Sequence, residues 1–285
     1  MFDQITIVIV IYDSTDLIFD CIKNLNNFKI IIIDNGKNQK ILPRLAENPN
    51  VKIISKNKNL GYGLAVNFAF EQINTEFFLT ISPDLIIDEN SIRELYQTSK
   101  KYSNCAVSAP ILNTEKNSYG IFPEKRGLYE KNKNKINNLK SHLTDLPSGE
   151  FCVDTTNGCA MLFKSEHFKS VNGFSNEYFL FWEEIDLCRK FYKQKLSVII
   201  SNKATANHIG GGSSKLKLST YFIRIFHNEI SPLIYFGIKK SSPHLYKNIL
   251  KYLFRSFTYL LIFNFKNSLK NIAKLFANIS FLSKK

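Results

Sequence analysis

Through the first hundred residues, short runs of β-branched and aromatic side chains alternate with longer stretches whose apolar positions recur at helical spacing. Ile5–Ile11, Ile30–Ile33, Val51–Ile54 and Phe77–Ile81 are almost continuously apolar, and polar or glycine-rich residues follow each of them. Unbroken apolar strands belong to parallel sheets covered by helices on both faces, because a sheet with one wet face would alternate instead. Helices are predicted over Thr15–Leu25, Leu64–Ile73 and Ser91–Lys100, the last entered through Asp88-Glu89-Asn90-Ser91, a cluster suited to capping. After one more apolar run, Ala106–Ile111, the rhythm breaks. Glu124–Lys140 is Lys- and Asn-rich without apolar periodicity and is predicted to be an exposed loop. Order resumes at Phe151–Phe163, and an amphipathic helix is predicted at Glu184–Lys193. The pattern is that of an α/β domain built from βαβ units.

From Lys217 onward, aromatic and aliphatic residues sit among lysines at helical intervals: Tyr221, Phe222, Ile225 and Phe226, then Tyr252, Phe254, Phe257 and Tyr259. Two or three amphipathic helices are expected there. The longest apolar stretch, near Tyr259–Phe263, falls short of the ~20 residues that a spanning helix needs. Charge separates this tail from the rest. Residues 214–285 hold 13 Lys or Arg and a single acid, Glu229, whereas the first 213 residues carry only +2 of the total +14. Such a segment attracts polyanions. Two readings remain open, an interfacial bundle on an anionic membrane or helices packed on the preceding domain with a solvated basic rim. The five cysteines form no CxxC pair, which favours buried reduced thiols over a disulfide framework or zinc knuckle. Met1–Val10 runs into a strand-like stretch without the features of a secretory signal, so a cytosolic setting is expected.

In a doubly wound sheet, ligands bind beyond the carboxyl ends of the strands, and four of those ends are chemically unusual here. They are Tyr12-Asp13, Asp34-Asn35-Gly36, Asn59-Leu60-Gly61-Tyr62-Gly63 and Ser82-Pro83-Asp84. The two glycines would let backbone N–H groups at a helix start approach a phosphate, although a plain turn explains a lone GxG as well. Asp84 suits Mg²⁺ or Mn²⁺, and ordinary turn chemistry suits Pro-Asp equally. Three carboxylates follow an aromatic run in Trp182-Glu183-Glu184-Ile185-Asp186; crowded acids raise one another's pKa, which makes a general base, and a helix start also attracts acids. His208 precedes Gly210-Gly211-Gly212, a place for a metal- or phosphate-contacting imidazole and for a closing lid.

Taken in order, these pieces resemble the family 2 glycosyltransferases of GT-A fold, and especially their bacterial rhamnosyltransferase-like branch. Tyr12, Ile33-Asp34-Asn35, the run from Asn59 to Asn67, and Ser82-Pro83-Asp84 match the nucleotide-sugar half. Val153-Asp154 with Asn157-Gly158-Cys159, the stretch from Phe174 to Arg189, and His208–Ser213 match the rest, so the resemblance covers residues 5 to about 213. It implies a GT-A, Rossmann-like domain with a mixed central sheet over 1–213, divided into a nucleotide-sugar half (1–110) and an acceptor half (111–213), then the basic helical region 214–285. By resemblance, Glu184 is the general base. Tyr12, Asp34, Asn59, Gly61, Gly63, Asn67, Ser82 and Lys190 hold the nucleotide sugar; Asp84 and His208 hold a divalent Mg or Mn ion. Asp154, Asn157, Gly158, Trp182 and Glu183 line the acceptor side. Three positions depart from the family's pattern: Ser82 for Asn or Asp, Glu184 for Asp, and Asp13 for Asn.

The implied activity is inverting, metal-dependent transfer of a sugar, rhamnose in that branch, from a nucleoside-diphosphate donor to a glycan or glycolipid acceptor. An anionic membrane surface is the expected partner, placing the protein peripherally on the inner face of the cell membrane. The departures at Ser82 and Glu184 motivate an alternative, a catalytically degenerate scaffold of the same fold. Nucleic acid is not an expected partner, since no recognised nucleic-acid motif is present.

Overall fold

The computed structural model describes residues 1–36, 38–56, 58–113, 119–124, 149–215 and 217–283. The chain divides into two compact units: Met1–Ser175 with Glu184–Ser214, and Asn176–Glu183 with Lys215–Lys285. The tail boundary expected after residue 213 lies within two residues of the observed one, but Asn176–Glu183, expected in the first domain, belongs to the helical unit. Beyond Glu124, the segment read as an exposed loop lies outside the described residues.

The first unit is built on a nine-stranded sheet. Its strands are β1 (Ile5–Ile11), β2 (Lys29–Asp34), β3 (Val51–Ser55), β4 (Phe77–Ile81), β5 (Leu85–Ile87), β6 (Cys105–Leu112), β8 (Glu150–Val153), β10 (Ala160–Lys164) and β11 (Ser197–His208). The order is β3-β2-β1-β4-β10-β6-β11-β5, with β8 beside β11; β7 (Tyr119–Gly120) and β9 (Thr155–Thr156) form a separate two-stranded ribbon. The first four strands are parallel. β10 runs antiparallel to both β4 and β6, which makes the sheet mixed. Helices α1 (Leu17–Ile22), α2 (Leu42–Ala46), α3 (Tyr62–Phe70), α4 (Glu89–Lys101), α5 (Ser165–Ser170) and α6 (Glu183–Lys193) accompany it. The unbroken apolar strands fill two buried clusters, one around Ile7, Ile9 and Leu79, the other around Val8, Phe78 and Phe163. This is the α/β architecture that the sequence pattern predicts.

Local chemistry sets the helix ends. Asp88 accepts the Ser91 N–H at 2.6 Å and caps α4, whose last turn carries Lys100 and Lys101. α1 starts later than predicted, because the Thr15 hydroxyl bonds the Gly212 carbonyl at 3.0 Å. β11 was not predicted. Its first half is apolar and parallel to β6, but a register shift between Ser201 and Thr205 turns it towards β5, so no single periodicity runs through it. Four cysteines are buried as expected, and Cys152 is exposed.

The second unit holds α7 (Leu218–Tyr235), α8 (Pro243–Leu261) and α9 (Phe265–Ser283), with a small core around Ile230, Leu233, Leu245 and Phe281. Three tail helices are present, but their apolar faces do not all turn inward. Tyr252 is buried, whereas Phe254 and Phe257 are 73% and 59% exposed.

Candidate active site

The parallel strands end level with one another, and the register carries chemistry with it. Ile11 pairs with Asp34 and Asp34 with Ser55, so three loops leave one edge together. Asp34 is buried; its carboxylate accepts the Gly36 N–H (2.8 Å), the Asn38 amide (2.5 Å) and the Ser55 hydroxyl (3.3 Å). The Asn38 oxygen in turn accepts the Ser14 N–H at 2.8 Å, which joins the loops after β1 and β2. Asn35 clasps the third loop, donating to Gly61 O (2.8 Å) and accepting from Leu60 N (3.3 Å). Tyr12 leaves β1 at the same edge. Sequence reading missed Asn38 and Ser55, and their only signal is polarity at a strand end.

The glycine loop works differently from the sequence expectation. Asn59 accepts the Gly61 N–H at 2.9 Å, and Gly61 (φ 77°) adopts the left-handed geometry that starts α3. Gly63 is needed for packing instead: a Cβ there would lie 2.9 Å from Phe174 Cβ. Asn67, expected to face the donor, bonds Phe174 on both sides of its amide, donating to the carbonyl (2.8 Å) and accepting the N–H (2.9 Å). Gly63→Ala is therefore expected to cost about 1–3 kcal/mol of stability through overpacking. Urea unfolding would show it; unchanged stability with lost nucleotide binding would return Gly63 to the phosphate-approach role.

Ser82 N–H bonds Cys159 O at 2.8 Å, and a turn from Ser82 to Leu85 buries Asp84 almost completely. β11 pairs His208 with Leu85, which sets the imidazole beside that carboxylate. His208 Nε2 lies 3.4 Å from Asp84 Oδ1. The other oxygen, Oδ2, accepts the Gly212 N–H at 2.9 Å. Burial pushes the Asp84 carboxyl up, but the His208 ring and the backbone N–H groups outweigh it and hold the group below the ordinary carboxylate value. Asp84 Oδ1 is a buried oxygen with no hydrogen-bond donor among the described residues. Gly210 and Gly211 take left-handed conformations (φ 68° and 74°), curling the chain back so that Gly212 O and Ser213 O accept the Thr15 and Ser14 hydroxyls at 3.0 and 3.1 Å. These bonds tie the glycine run to the loop after β1.

An oxygen and an imidazole nitrogen 3.4 Å apart fit two neighbouring ligands of Mg²⁺ or Mn²⁺. Among the described residues no group of three or more His, Cys, Asp or Glu converges, and Asp84 and His208 are the residues that would hold such an ion.

Glu184 lies against the turn after β9. Its Cβ, Cγ and Cδ would be 3.5–3.8 Å from a Cβ placed on Gly158, whose carbonyl accepts the Tyr62 hydroxyl at 3.1 Å. Asn157 accepts the Cys159 N–H (3.0 Å) within that turn, and Asp154, just before β9, accepts the Phe122 N–H (3.1 Å). The Cys188 thiol is pushed up to about 12, first by burial and then by the charges of Glu184, Asp154 and Asp186. Those carboxylates therefore share one negatively charged neighbourhood. Lys190, expected near the diphosphate, donates to the Gly173 carbonyl at 2.8 Å.

Trp182 and Glu183 fall in the helical unit. Phe181 and Trp182 both have positive φ, 66° and 72°, a strained backbone for two bulky residues. Packing within that unit holds them: Trp182 meets Tyr235 and Phe236 with ring centroids 5.3 and 5.9 Å apart, and Leu180 O accepts the Ser231 hydroxyl at 3.1 Å.

The mixed α/β sheet, with Asp84 meeting His208 and the glycine loop clasped at its carboxyl edge, is of GT-A type. The chain matches Glycosyl transferase family 2 over residues 6–165, and the N-terminal domain of galactosyltransferase over residues 143–210. With more than half of its length matched, the protein belongs to glycosyl transferase family 2. Among curated proteins it is 23% identical over 203 residues to a low-salt glycan biosynthesis hexosyltransferase of Haloferax volcanii, covering 70% of this chain and 64% of that protein. It is 26% identical to the rhamnosyltransferase WbbL of Escherichia coli (65% of this chain, 75% of that protein). It is 21% identical to an N-acetylglucosaminyl-diphospho-decaprenol L-rhamnosyltransferase of Mycobacterium tuberculosis (63% and 66%). Thus the match spans just under two thirds of the first of these relatives and of the third. Among solved structures, GalNAc-T7 with UDP, GalNAc and Mn²⁺ superposes with a TM-score of 0.60 at 11% identity, over 80% of this chain and 50% of that one. A mannosyltransferase of Pyrobaculum calidifontis with GDP-Man and Mn²⁺ does so with a TM-score of 0.57 at 13% identity, over 98% and 74%. At these identities the likeness is one of fold.

Proposed function

We propose that the protein is an inverting, metal-dependent glycosyltransferase that moves a sugar from a nucleoside-diphosphate donor to a lipid-linked or surface-polysaccharide acceptor. The observation that carries this reading is the buried Asp84 oxygen that no described residue donates to, 3.4 Å from the His208 ring at the carboxyl edge of the sheet. The rhamnosyltransferase names of two relatives support rhamnose as the sugar, and the decaprenol-linked acceptor in one name supports a glycolipid.

In this reading the loops after β1, β2 and β3 hold the nucleotide, with Asp34 accepting a base N–H and Asn35 fixing the glycine loop. Asp84 and His208 hold the ion, which when bound supplies charge neutralisation on the departing diphosphate. Glu184 takes the proton from the acceptor hydroxyl as that oxygen attacks the anomeric carbon opposite the leaving group. Asp154, Asn157 and Gly158 shape the acceptor side. The reacting carbon passes through an oxocarbenium-like state, so positioning and charge placement supply most of the rate, and no covalent sugar–enzyme intermediate is needed.

Thermal unfolding with a panel of nucleoside diphosphates, with and without Mn²⁺, tests the donor site. One nucleotide at a hundredfold above its Kd is expected to add about 2.7 kcal/mol in the presence of metal. A folded protein indifferent to all of them would remove the transferase reading and leave the scaffold alternative.

A further inference from the structure

The helical unit has a small apolar core around Ile230, Leu233, Leu245 and Phe281, but leaves many large apolar side chains outside it. Where α8 and α9 pack within the bundle, the buried positions are largely small or polar: Asn248 and Ser256 on α8, Ser268, Asn271, Ala277 and Asn278 on α9. Ser268 donates its hydroxyl to the Ser256 carbonyl at 2.9 Å, and the fully buried Asn278 amide donates to Lys274 O at 2.8 Å. Many of the large apolar side chains point outward. Leu250, Leu253, Phe254, Phe257 and Leu261 form an exposed stripe along α8 at three- and four-residue spacing, and Phe265, Phe276 and Ile279 are exposed along α9. At the turn between the helices, Phe263 is 79% exposed. Small and polar side chains between helices, with apolar ones outside, suit helices surrounded by lipid rather than water.

Charge points the same way. Lys247, Lys251 and Arg255, four residues apart, border the α8 stripe, and Lys266 and Lys270 are exposed on α9. Glu229, the single acid of residues 214–285, turns inward, held by the Tyr252 hydroxyl (2.7 Å) and the Lys274 ammonium (2.9 Å). The outward faces of α8 and α9 therefore present cations and apolar groups without an acid. No helix among the described residues is long and apolar enough to cross a membrane.

We infer that the α8–α9 hairpin seats the protein on an anionic bilayer. Its apolar stripes and the turn at Phe263 lie in the boundary between headgroups and acyl chains, and its lysines reach the lipid phosphates. A second copy suits this face poorly, because it would bring one +12 tail against another. Nucleic acid has no use for Leu250, Leu253 and Leu261, which offer no ring to stack on a base. The inference rests on the lipid-linked-acceptor reading for its purpose only, since every observation behind it lies within the helical unit.

Sedimentation of the full chain with phosphatidylcholine vesicles, with and without phosphatidylglycerol, tests it. Binding is expected with phosphatidylglycerol and reduced, not abolished, by salt; Phe254→Ser with Phe257→Ser should weaken it about tenfold or more. Thermal unfolding and nucleotide stabilisation, read on the same samples, should not change in that variant. A wild-type chain that ignores both vesicles overturns the seating, as does a variant that binds like wild type, or a dimer that the substitutions dissociate. Wild-type protein that responds to nucleotide but ignores the vesicles counts against the seating alone, and wild-type protein that binds the vesicles but no nucleotide counts against the transferase reading alone.

Discussion

Glu184→Gln is expected to lower kcat for sugar transfer by about 10²- to 10⁴-fold, the usual contribution of a positioned base, and to leave nucleotide affinity unchanged. Glutamine keeps the shape that packs against Gly158 but accepts no proton. The effect should appear in kcat rather than KM, because the lost interaction exists only as the acceptor hydroxyl is deprotonated. Glu184→Asp restores the family's shorter residue and should keep a measurable part of the rate. Transfer by the glutamine variant within about threefold of wild type would show that the proton goes elsewhere, with Asp154 the next carboxylate to replace.

The second large effect belongs to Asp84. Asp84→Asn preserves volume and removes the charge, and metal-dependent nucleotide stabilisation should disappear, with kcat falling by about 10²-fold or more. The sign of the Asp84 shift fixes what the variant measures. The folded carboxyl lies below its ordinary value, so its stabilising contribution is present above the ordinary carboxylate range and is lost only as pH falls through the lowered folded value. At neutral pH the group is already ionised without metal. The asparagine variant thus reports lost charge, not altered protonation. Metal-dependent stabilisation that survives the change would move the ion away from Asp84 and His208.

Some of this was legible early. β1, β2 and β4 fill the core with their own side chains and β3, at the sheet edge, packs partly buried against it, so their apolar runs mark them wherever they pair. The chemistry at their ends was legible too, because a parallel sheet puts every carboxyl end on one edge. The glycine loop stands out in the sequence, but that Gly63 and Asn67 meet Phe174, a neighbour about a hundred residues away, is encoded in no local pattern. β11 escaped because its partners change along its length.

By itself the sequence determined which residues share a strand or a helical face, since backbone geometry imposes periods of 2 and 3.6 on any chain. It also placed Asp34, Asp84 and Glu184 at or beside element ends. Tertiary structure alone decided that Asp84 meets His208 and the Gly212 N–H, 128 residues away from Gly212, because that contact depends on antiparallel pairing of β5 with the end of β11. It alone decided, too, which way the tail faces. An amphipathic pattern says that an apolar stripe exists, and only packing shows that Asn248, Ser256, Ser268 and Asn278 are buried while Phe254, Phe257 and Phe276 are left outside.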